Sequence, residues 1–314
     1  MARMKNERVL AFAAFLTVCI VWGTTYLGIR VAVETIPPVL LTGVRYTIAA
    51  IGLLTISRLR GERFPSDPRT IGRIAIVALL LIGVGNLGVV WAEQWVPSGI
   101  AALLVASAPF WATILEALRR GGERIRLRRM VGIAIGFAGV AILVTPRGAG
   151  HFYDAHFVTG AIAIQIAAIA WQGGSLYGKL TVNDVPPLMS TGLQALIAGI
   201  VLDIIGLAIG EAPRFHPSAR SLIALLYLAI VGTMLAYSAY MYALSRMRIT
   251  TMSLYSYVNP IVAVILGWLV LGERLTPVSV AGIAIILGGM ALVRRSRNEG
   301  RGSIEETEEE EQAA

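Results

Sequence analysis

Ten mostly apolar stretches follow one another along the chain, separated by short polar segments. About 20 consecutive apolar residues is the length that an α-helix needs to cross the hydrocarbon layer of a membrane. The pattern predicts an all-α polytopic membrane protein. Its ten transmembrane helices are expected at residues 9–30, 38–57, 71–91, 98–118, 129–145, 157–178, 187–209, 220–242, 250–271 and 276–293.

The second five stretches repeat the residue pattern of the first five. At a shift of 149, the residues Trp22, Leu27, Arg30, Pro37, Pro38, Thr42 and Gly43 recur as Trp171, Leu176, Lys179, Pro186, Pro187, Thr191 and Gly192. At a shift of 150, Gly122-Glu123-Arg124 recurs as Gly272-Glu273-Arg274. Because each unit crosses the membrane an odd number of times, the second enters from the opposite side. Such inverted repeats place a binding site between their halves, which predicts transport by alternating access.

These repeats divide the chain into four parts. We expect a first five-helix repeat at 1–146, a connecting loop at 147–156, a second five-helix repeat at 157–294, and a tail at 295–314. The tail carries an acidic run without apolar periodicity, which is typical of a disordered segment, and we assign it no role. The first apolar stretch lacks a small-residue cleavage site, so we expect a retained helix rather than a signal peptide.

The composition excludes a soluble protein. Hydrophobic residues make up 56% of the chain and charged residues 15%, with a mean hydropathy of +0.71, and this apolar mass belongs in lipid. The single cysteine, Cys19, excludes an intrachain disulfide and indicates no metal cluster. We expect no cofactor and no metal.

The distribution of the net charge of +8 predicts the orientation. With a cytoplasmic N-terminus, 21 of the 27 lysines and arginines fall in the tails and loops of the cytoplasmic side. Cytoplasmic loops carry the excess of Lys and Arg in membrane proteins. The sequence therefore predicts a multi-pass membrane protein with both termini cytoplasmic, and the clustered charge gives no reason to expect nucleic acid as a partner.

Two motifs resemble catalytic or nucleotide sites without the context these need. The segment Gly83-Val-Gly-Asn-Leu-Gly88 matches the dinucleotide fingerprint, but that fingerprint works between a strand and a helix, and here it lies inside an apolar helix. The segment Gly173-Gly-Ser175 lacks the closing glycine of a nucleophile elbow, because Tyr177 occupies that position. The spans contain no His pair or carboxylate cluster, so we do not expect an enzyme.

Arg45 is the most informative polar residue, because it lies about two helical turns into the second span. Ionisable groups inside a membrane are costly and usually face a cavity or a partner. Arg45 either anchors a substrate carboxylate or another anion, or pairs with a carboxylate such as Glu93 or with backbone carbonyls between helices. Its repeat counterpart is Gln194, so this charge is not symmetric between the halves.

Three carboxylates also fall within spans. Glu93 lies near the outer end of the third span and is either an interfacial anchor or a proton carrier, for which it is our first candidate. Glu116 is expected to reach toward the nearby cytoplasmic arginines. Asp203, in the seventh span, has no clear role.

Several aromatic and polar side chains are candidates for a cavity wall, because flat amphipathic rings bind varied organic solutes. For each one, packing or an interfacial belt is the alternative, and Trp22 and Trp171 are stronger candidates because they occupy equivalent repeat positions. The predicted substrate-binding set is Trp22, Tyr26, Arg45, Trp111, Trp171, Tyr177, Gln194, Tyr237, Tyr257 and Asn259. Tyr240 and Tyr255 are further wall candidates, and Pro109 and Pro260, at corresponding positions of spans four and nine, are candidate hinges.

The order and spacing of several motifs resemble the EamA family of the drug/metabolite transporter superfamily, and within it the YedA-like bacterial inner-membrane members. These motifs are Trp22-Gly-Thr-Thr-Tyr26, Pro37-Pro38, Val96-Pro-Ser-Gly-Ile-Ala-Ala-Leu103, Tyr257-Val-Asn-Pro-Ile-Val-Ala-Val264 and Leu271-Gly-Glu-Arg274. The resemblance covers residues 8–294. It implies a ten-helix, two-repeat carrier of small metabolites or drugs, commonly an exporter, with both termini cytoplasmic.

The expected function is a secondary transporter that exports small metabolites, such as amino acids or their analogues, or drugs. It would use the gradient of the solute or proton exchange, because no nucleotide-hydrolysing motif is present. The alternatives are a carrier of anionic solutes such as sugar phosphates or nucleotide sugars, a membrane-embedded lipid enzyme, and a passive channel. The expected partners are a small-molecule substrate, membrane lipid and protons, and the sequence does not indicate the oligomeric state.

The predicted orientation is testable with terminal reporters. A reporter that is active only in the cytoplasm should be active when fused to either end of the chain, because each end lies beside a cluster of basic residues. Fusion to the loop near residue 150 serves as the control and should be inactive. Termini on different sides of the membrane would contradict the inverted repeat.

Overall fold

The computed structural model describes residues 2–119, 127–144, 155–182 and 184–272, together with isolated residues between 277 and 292. Within these residues the protein is helical and contains no strand. The helices are α1 Ala2–Ala32, α2 Pro38–Leu59, α3 Pro68–Ala78, α4 Leu87–Ala92, α5 Ser98–Val105, α6 Ala108–Leu118, α7 Leu127–Val144, α8 Ala155–Thr181, α9 Pro187–Ala208, α10 Ala219–Tyr227, α11 Ala236–Arg246, α12 Ile249–Met252 and α13 Tyr255–Leu271. A short 3₁₀ helix covers Ala212–Arg214.

The predicted all-α membrane fold is confirmed. Seven described helical spans are long and apolar enough to cross a membrane: Val9–Ala32, Pro38–Leu59, Pro68–Ala92, Ser98–Leu118, Ala155–Thr181, Pro187–Ala208 and Ala219–Arg246. Three shorter apolar helices, Met130–Gly139, Val258–Leu271 and Val280–Gly289, fall within the other three predicted spans. The acidic tail lies outside the described residues.

Four of the spans depart from the single regular helices that the sequence predicts. In the third span, a π-helical segment at Leu79–Asn86 joins α3 to α4. In the eighth, a second π-helical segment at Leu228–Leu235 joins α10 to α11. The two segments have equal length and are offset by the repeat shift of 149. The fourth span is interrupted between α5 and α6, and the ninth between α12 and α13.

Proline and acidic caps fix where several helices begin. α2 and α9 each begin with a proline, Pro38 and Pro187, whose missing N–H costs nothing in a first turn. Asp67 caps α3 by accepting from the amides of Arg69 and Thr70, both at 3.1 Å. The hydroxyl of Thr70 and these amides hold the pKa of Asp67 below its ordinary value, because they stabilise its charged form.

The two repeats meet where α2 crosses α9, and glycines allow the backbones to approach. A Cβ on Gly199 would lie 2.8 Å from the amide nitrogen of Thr47, and one on Gly43 would lie 2.8 Å from that of Asp203. Across the same crossing, the Thr47 hydroxyl donates to Asp203 Oδ2 at 2.7 Å. Small residues serve this purpose in membranes, because lipid supplies no hydrophobic drive for helix association.

The outer surface of the helices suits a lipid environment. Many large apolar side chains are exposed along the spans, and examples are Ile51, Ile204, Ile223, Trp268 and Leu269. The buried core holds aliphatic residues together with the large aromatic residues Tyr46, Phe110, Phe157, Tyr237 and Tyr240. The bulk of the aromatic surface therefore lies between helices, where it can form the walls of a site.

The close contact between α2 and α9 predicts the effect of one substitution. Gly199→Leu should destabilise the protein by about 1–3 kcal/mol, the usual cost of inserting a side chain into a packed interface. The measurement is the melting temperature of the purified protein in detergent. Gly72→Leu is the matched control, because a Cβ on Gly72 meets nothing within 4 Å. Equal melting temperatures for both variants would show that this crossing does not hold the halves together.

Candidate substrate cavity

A cavity of about 70 Å³ lies between the two repeats. Its walls come from α1, α2, the third span, the fourth span, α8 and α13, so both repeats contribute. The lining residues are Trp22, Thr25, Tyr26, Ile29, Arg45, Tyr46, Gly85, Asn86, Val89, Val105, Ala108, Ala167, Ala168, Trp171, Gln172, Tyr255 and Asn259. Most of this surface is apolar or aromatic, and a few polar groups converge on it, which is the usual composition of a small-molecule site.

The π-helical segments supply backbone acceptors to the cavity region. In the second segment, the carbonyl of Leu228 accepts from Arg45 Nε at 3.2 Å, and the carbonyl of Gly232 accepts from the Trp22 indole N–H at 3.1 Å. A π turn changes the pairing of carbonyls along a helix, and such turns occur often at functional sites. In the first segment, Gly85 and Asn86 line the cavity.

Gly83-Val-Gly-Asn-Leu-Gly88 lies mainly in that first π-helical segment. It therefore sits within a membrane-spanning helix, as predicted, and not in the strand-to-helix turn of a dinucleotide site. Its glycines allow close packing against α8, since a Cβ on Gly85 would lie 3.1 Å from the Trp171 ring and one on Gly88 would lie 2.9 Å from Ala167.

Arg45 is 2% exposed and lines the cavity. Its Nε donates to Thr233 Oγ1 at 2.8 Å as well as to the Leu228 carbonyl, and its guanidinium lies 5.1 Å from the centre of the Tyr46 ring. Its Nη1 has no hydrogen-bond partner among the described residues. A hydrogen bond to a backbone carbonyl of a neighbouring helix therefore holds the Nε side of Arg45. This is one of the two alternatives that the sequence left open. The other side of its guanidinium remains available to a ligand.

Trp22 and Trp171 meet at the cavity wall. Their ring centres are 5.3 Å apart in an edge-to-face arrangement, and Trp22 also contacts Tyr240 and Tyr255, each at 5.0 Å. The Trp171 indole N–H donates to the Tyr240 hydroxyl at 3.1 Å, and this hydroxyl is hydrogen-bonded to Ser175 at 2.7 Å. The repeat-equivalent tryptophans therefore form a single cluster with fixed orientations.

Tyr26 and Asn259 also line the cavity. In the amide orientation that its neighbours require, Asn259 donates to the carbonyls of Cys19 at 2.9 Å and Tyr255 at 3.1 Å. The bond to Cys19 links α1 to α13, whereas the bond to Tyr255 lies within α13.

Gln194 and Tyr237 lie behind the residues that line the central cavity and are not among them. The Tyr237 hydroxyl donates to Gln194 Oε1, and Gln194 lines a second, larger cleft of about 550 Å³ at the ends of α8, α9 and α11. The Tyr237 ring contacts the rings of Tyr46 and Trp171, at 6.2 and 6.0 Å. Tyr237 therefore separates the central cavity from this cleft.

Trp111 and Tyr177 do not reach the cavity. The Trp111 indole N–H donates to Gln165 Oε1 at 3.1 Å, and its ring packs against Phe137 at 4.9 Å, so these contacts turn it toward α7 and α8. Tyr177 is half-buried and packs against the core, about two helical turns beyond Trp171. The side chain of Tyr257 lies outside the described part of the chain.

The predicted hinge prolines lie close to real interruptions, but just after them. Pro109 is the second residue of α6, so the break at Ala106 and Ser107 precedes it, and Pro260 lies inside α13. At the first break, Gln165 Nε2 donates to the Leu104 carbonyl at 3.1 Å, while Ser107 donates to Gln165 Oε1 at 2.9 Å. Gln165 thereby donates to one backbone carbonyl at the interruption and accepts from the Ser107 hydroxyl.

Two repeat-equivalent cations bind helix ends. Arg30 Nη1 donates to the carbonyls of Glu93 and Gln94, just after α4. Lys179 Nζ donates to the carbonyls of Leu244 and Met247, both at 2.6 Å, at the end of α11. Cations are favoured at the C-terminal ends of helices, where carbonyls lack partners. Each cation joins the first span of its repeat to the third.

The span carboxylates differ in their surroundings. Glu93 is fully buried at the C-terminal end of α4. Glu116 is half-buried in α6. Asp203 belongs to the crossing of α2 and α9 through its bond with Thr47.

Sequence reasoning missed several lining residues, and the polar ones among them are Thr25, Tyr46, Asn86 and Gln172. Gln172 is fully buried and adjoins Trp171 in sequence. The signal in the sequence was the presence of this polar amide inside an apolar membrane span. Asn86 belongs to the glycine-rich segment whose resemblance to a nucleotide motif obscured it.

The sequence model of the EamA-like transporter family matches the chain twice, at residues 9–145 and 158–295. The chain belongs to this family. Its fold, two repeats of the same family unit, follows from the double match and from the helical spans described above.

Relatives in the family are named as transporters. The chain is 38% identical over 283 residues to "Uncharacterized inner membrane transporter YedA" of Escherichia coli strain K12, covering 90% of each protein. It is 26% identical over 285 residues to "Probable amino-acid metabolite efflux pump" of the same strain, covering 88% of this chain and 91% of the relative. A solved crystal structure shares the fold, with a TM-score of 0.69 at 21% identity over 91% of this chain and 98% of that one. These relationships make this family member a multi-pass inner-membrane transporter.

Proposed function

We propose that this protein is a secondary carrier that exports small amphipathic metabolites, such as amino acids or their analogues, by alternating access through the central cavity. The observation that carries the proposal is the cavity itself. It lies between the two repeats, it is walled by a paired tryptophan cluster, and it contains the buried guanidinium of Arg45, whose Nη1 has no partner among the residues that the structure describes. The efflux-pump name of one relative agrees with this cargo class.

The size of the cavity favours compact cargo. A volume of about 70 Å³ is well below the roughly 300–1,000 Å³ of sites for drug-sized ligands. Nucleotide sugars and large drugs would require much greater separation of the repeats than an amino acid requires. Anionic solutes such as sugar phosphates remain the second candidate, because Arg45 offers them a cationic donor.

The arrangement of the helices supports rocking motion of the two halves. Arg30 joins spans within the first repeat and Lys179 joins spans within the second, so each repeat is braced internally. Tyr237 separates the cavity from the larger cleft, and the predicted orientation makes that cleft cytoplasmic. Alternating access requires a site that closes toward one face at a time, and Tyr237 would form this closure on the side of the cleft.

Energy for export would come from the solute gradient or from proton exchange. An enzymatic role has little support, since the described residues hold no group of three or more potential metal ligands and the relatives are named as transporters. A passive channel is a weaker candidate because the rings of Trp22, Trp171 and Tyr240 pack directly on one another beside the cavity.

Replacing Arg45 by Ala should abolish transport while the protein remains folded, because the variant loses the cationic donor in the cavity. The measurement is solute counterflow in proteoliposomes against a panel of amino acids, cationic drugs and phosphorylated sugars. Size-exclusion elution and melting temperature report folding.

Arg220→Ala is the matched control, because Arg220 is exposed at the start of α10 and its loss removes the same charge. Counterflow in this control should equal that of the wild type. Retained counterflow in the Arg45 variant would reject the binding role, and a wild-type protein that moves no member of the panel would reject the proposed cargo classes.

Glu93→Gln should remove the response to a pH gradient. If the Glu93 carboxylate carries the proton, a proton gradient should accelerate wild-type transport several-fold and leave the variant unchanged, while counterflow without a gradient persists. Glu34→Gln is the control, because Glu34 is exposed. Acceleration in the Glu93 variant equal to that of the wild type would assign proton coupling to another group or exclude it.

A further inference from the structure

Three side chains that line the cavity have buried polar atoms without hydrogen-bond partners among the described residues. These atoms are Arg45 Nη1, Asn86 Oδ1 and both amide atoms of Gln172. Buried polar atoms are nearly always paired, and each unpaired one calls for an explanation. Gln172 is the clearest example, because it is 0% exposed and neither end of its amide has a partner in the part of the chain that the structure describes.

The unpaired atoms provide both hydrogen-bond donors and acceptors. Arg45 offers a charged donor, Gln172 offers a neutral donor and an acceptor, and Asn86 offers an acceptor. The amide orientation of Gln172 does not affect this count, because both of its ends are unpaired. A carboxylate is the natural complement of the two donors, and an ammonium is the natural complement of the two acceptors.

The charge of the site selects among ligands that carry these groups. Arg45 is the charged side chain among the described residues that line the cavity, and a carboxylate complements it. A ligand with a carboxylate alone would leave the acceptors of Gln172 and Asn86 without donors, whereas an ammonium on the same ligand supplies those donors. A ligand that carries both groups therefore pairs all of these atoms.

The remaining lining selects for a compact apolar substituent. Ile29, Val89, Val105 and the alanines of α8 present methyl and methylene groups, and the tryptophan pair presents ring surface. The elements that carry the polar atoms come from both repeats, since Arg45 and Asn86 belong to the first and Gln172 to the second.

We propose that Asn86 and Gln172 form an ammonium subsite that acts together with Arg45 to bind the zwitterionic headgroup of a neutral amino acid with a small apolar side chain. Arg45 Nη1 and Gln172 Nε2 donate to the carboxylate, and the ammonium donates to Gln172 Oε1 and Asn86 Oδ1. This assignment rests on the proposed function, because it defines the cargo of the same cavity.

The test uses leucine and two analogues, each of which lacks one charged group. Isoamylamine lacks the carboxylate, and 4-methylpentanoate lacks the ammonium. Binding is measured by thermal stabilisation of the purified full-length protein, and transport by leucine counterflow in proteoliposomes with each analogue as competitor. The wild type should bind leucine at least tenfold more tightly than either analogue.

Asn86→Leu and Gln172→Met should weaken leucine binding about tenfold, the effect of losing a hydrogen bond to a charged group. Because 4-methylpentanoate has no ammonium, Asn86→Leu should change its affinity less than twofold. Gln172→Met should affect leucine more than 4-methylpentanoate. A merely structural role would lower the affinities of leucine and its analogues together.

Ser238→Ala is the matched control, because the Ser238 hydroxyl oxygen is also buried and unpartnered but does not line the cavity. It should bind and transport leucine as the wild type does. If a variant elutes as aggregate, the wild-type ranking of leucine against its two analogues still decides the proposal.

The outcomes separate this proposal from the proposed function. Counterflow of amino acids with equal leucine affinities in wild type, Asn86→Leu and Gln172→Met would overturn the subsite and leave the carrier intact. Counterflow of phosphorylated sugars without leucine binding would overturn the zwitterion site alone. Absence of counterflow with every solute of the panel would overturn the proposed cargo classes, and absence of leucine binding would overturn the subsite.

Discussion

The hydrocarbon layer offers no hydrogen bonds, and this constraint governs every irregular feature of the structure. A span that departs from the α-helix must find other partners for its backbone groups inside the protein. The second π-helical segment pairs the Leu228 carbonyl with Arg45 and the Gly232 carbonyl with Trp22. Where the fourth span is interrupted, Gln165 serves the carbonyl of Leu104. Irregular backbone therefore occurs between helices, where side chains can reach it.

This constraint explains why the cavity lies where it does. Regular helices would present only side chains to the interface of the repeats, whereas the second π-helical segment exposes carbonyls that fix Arg45 and Trp22 in place. The two π-helical segments occupy equivalent positions in the two repeats, but their polar neighbours differ. Arg45 lies against the second segment, while Asn86 ends the first. A symmetric scaffold thus supports an asymmetric site, as a chemically asymmetric cargo requires.

Sequence reasoning predicts the features that depend on hydropathy and repetition. The spans, the pairing of Trp22 with Trp171 and the intramembrane position of Arg45 follow from residue type and offset alone. The π-helical segments cannot be predicted in this way, because a π turn lengthens the hydrogen-bonded turn by one residue and leaves the apolar pattern of the span unchanged. The sequence also does not reveal the direction in which each side chain points from its helix. For this reason Trp111 and Tyr177 were predicted to line the cavity, although their helices turn both side chains away from it. The lack of hydrogen-bond partners for Gln172 among the described residues depends on its three-dimensional surroundings and cannot be read from the sequence.

The bonds of Arg30 and Lys179 have a mechanical consequence. Each ties two helices of one repeat at opposite ends of the molecule, so bending within a repeat would break contacts to a cation. Separation of the repeats would break other contacts, because α1 packs on α10, α11 and α13 of the second repeat and α8 packs on α3, α4 and the first π-helical segment. Hydrogen bonds also cross between the repeats, from Arg45 to Thr233 and from Trp22 to Gly232. The repeats are therefore interlocked, and each supplies helices that shield polar groups of the other from lipid.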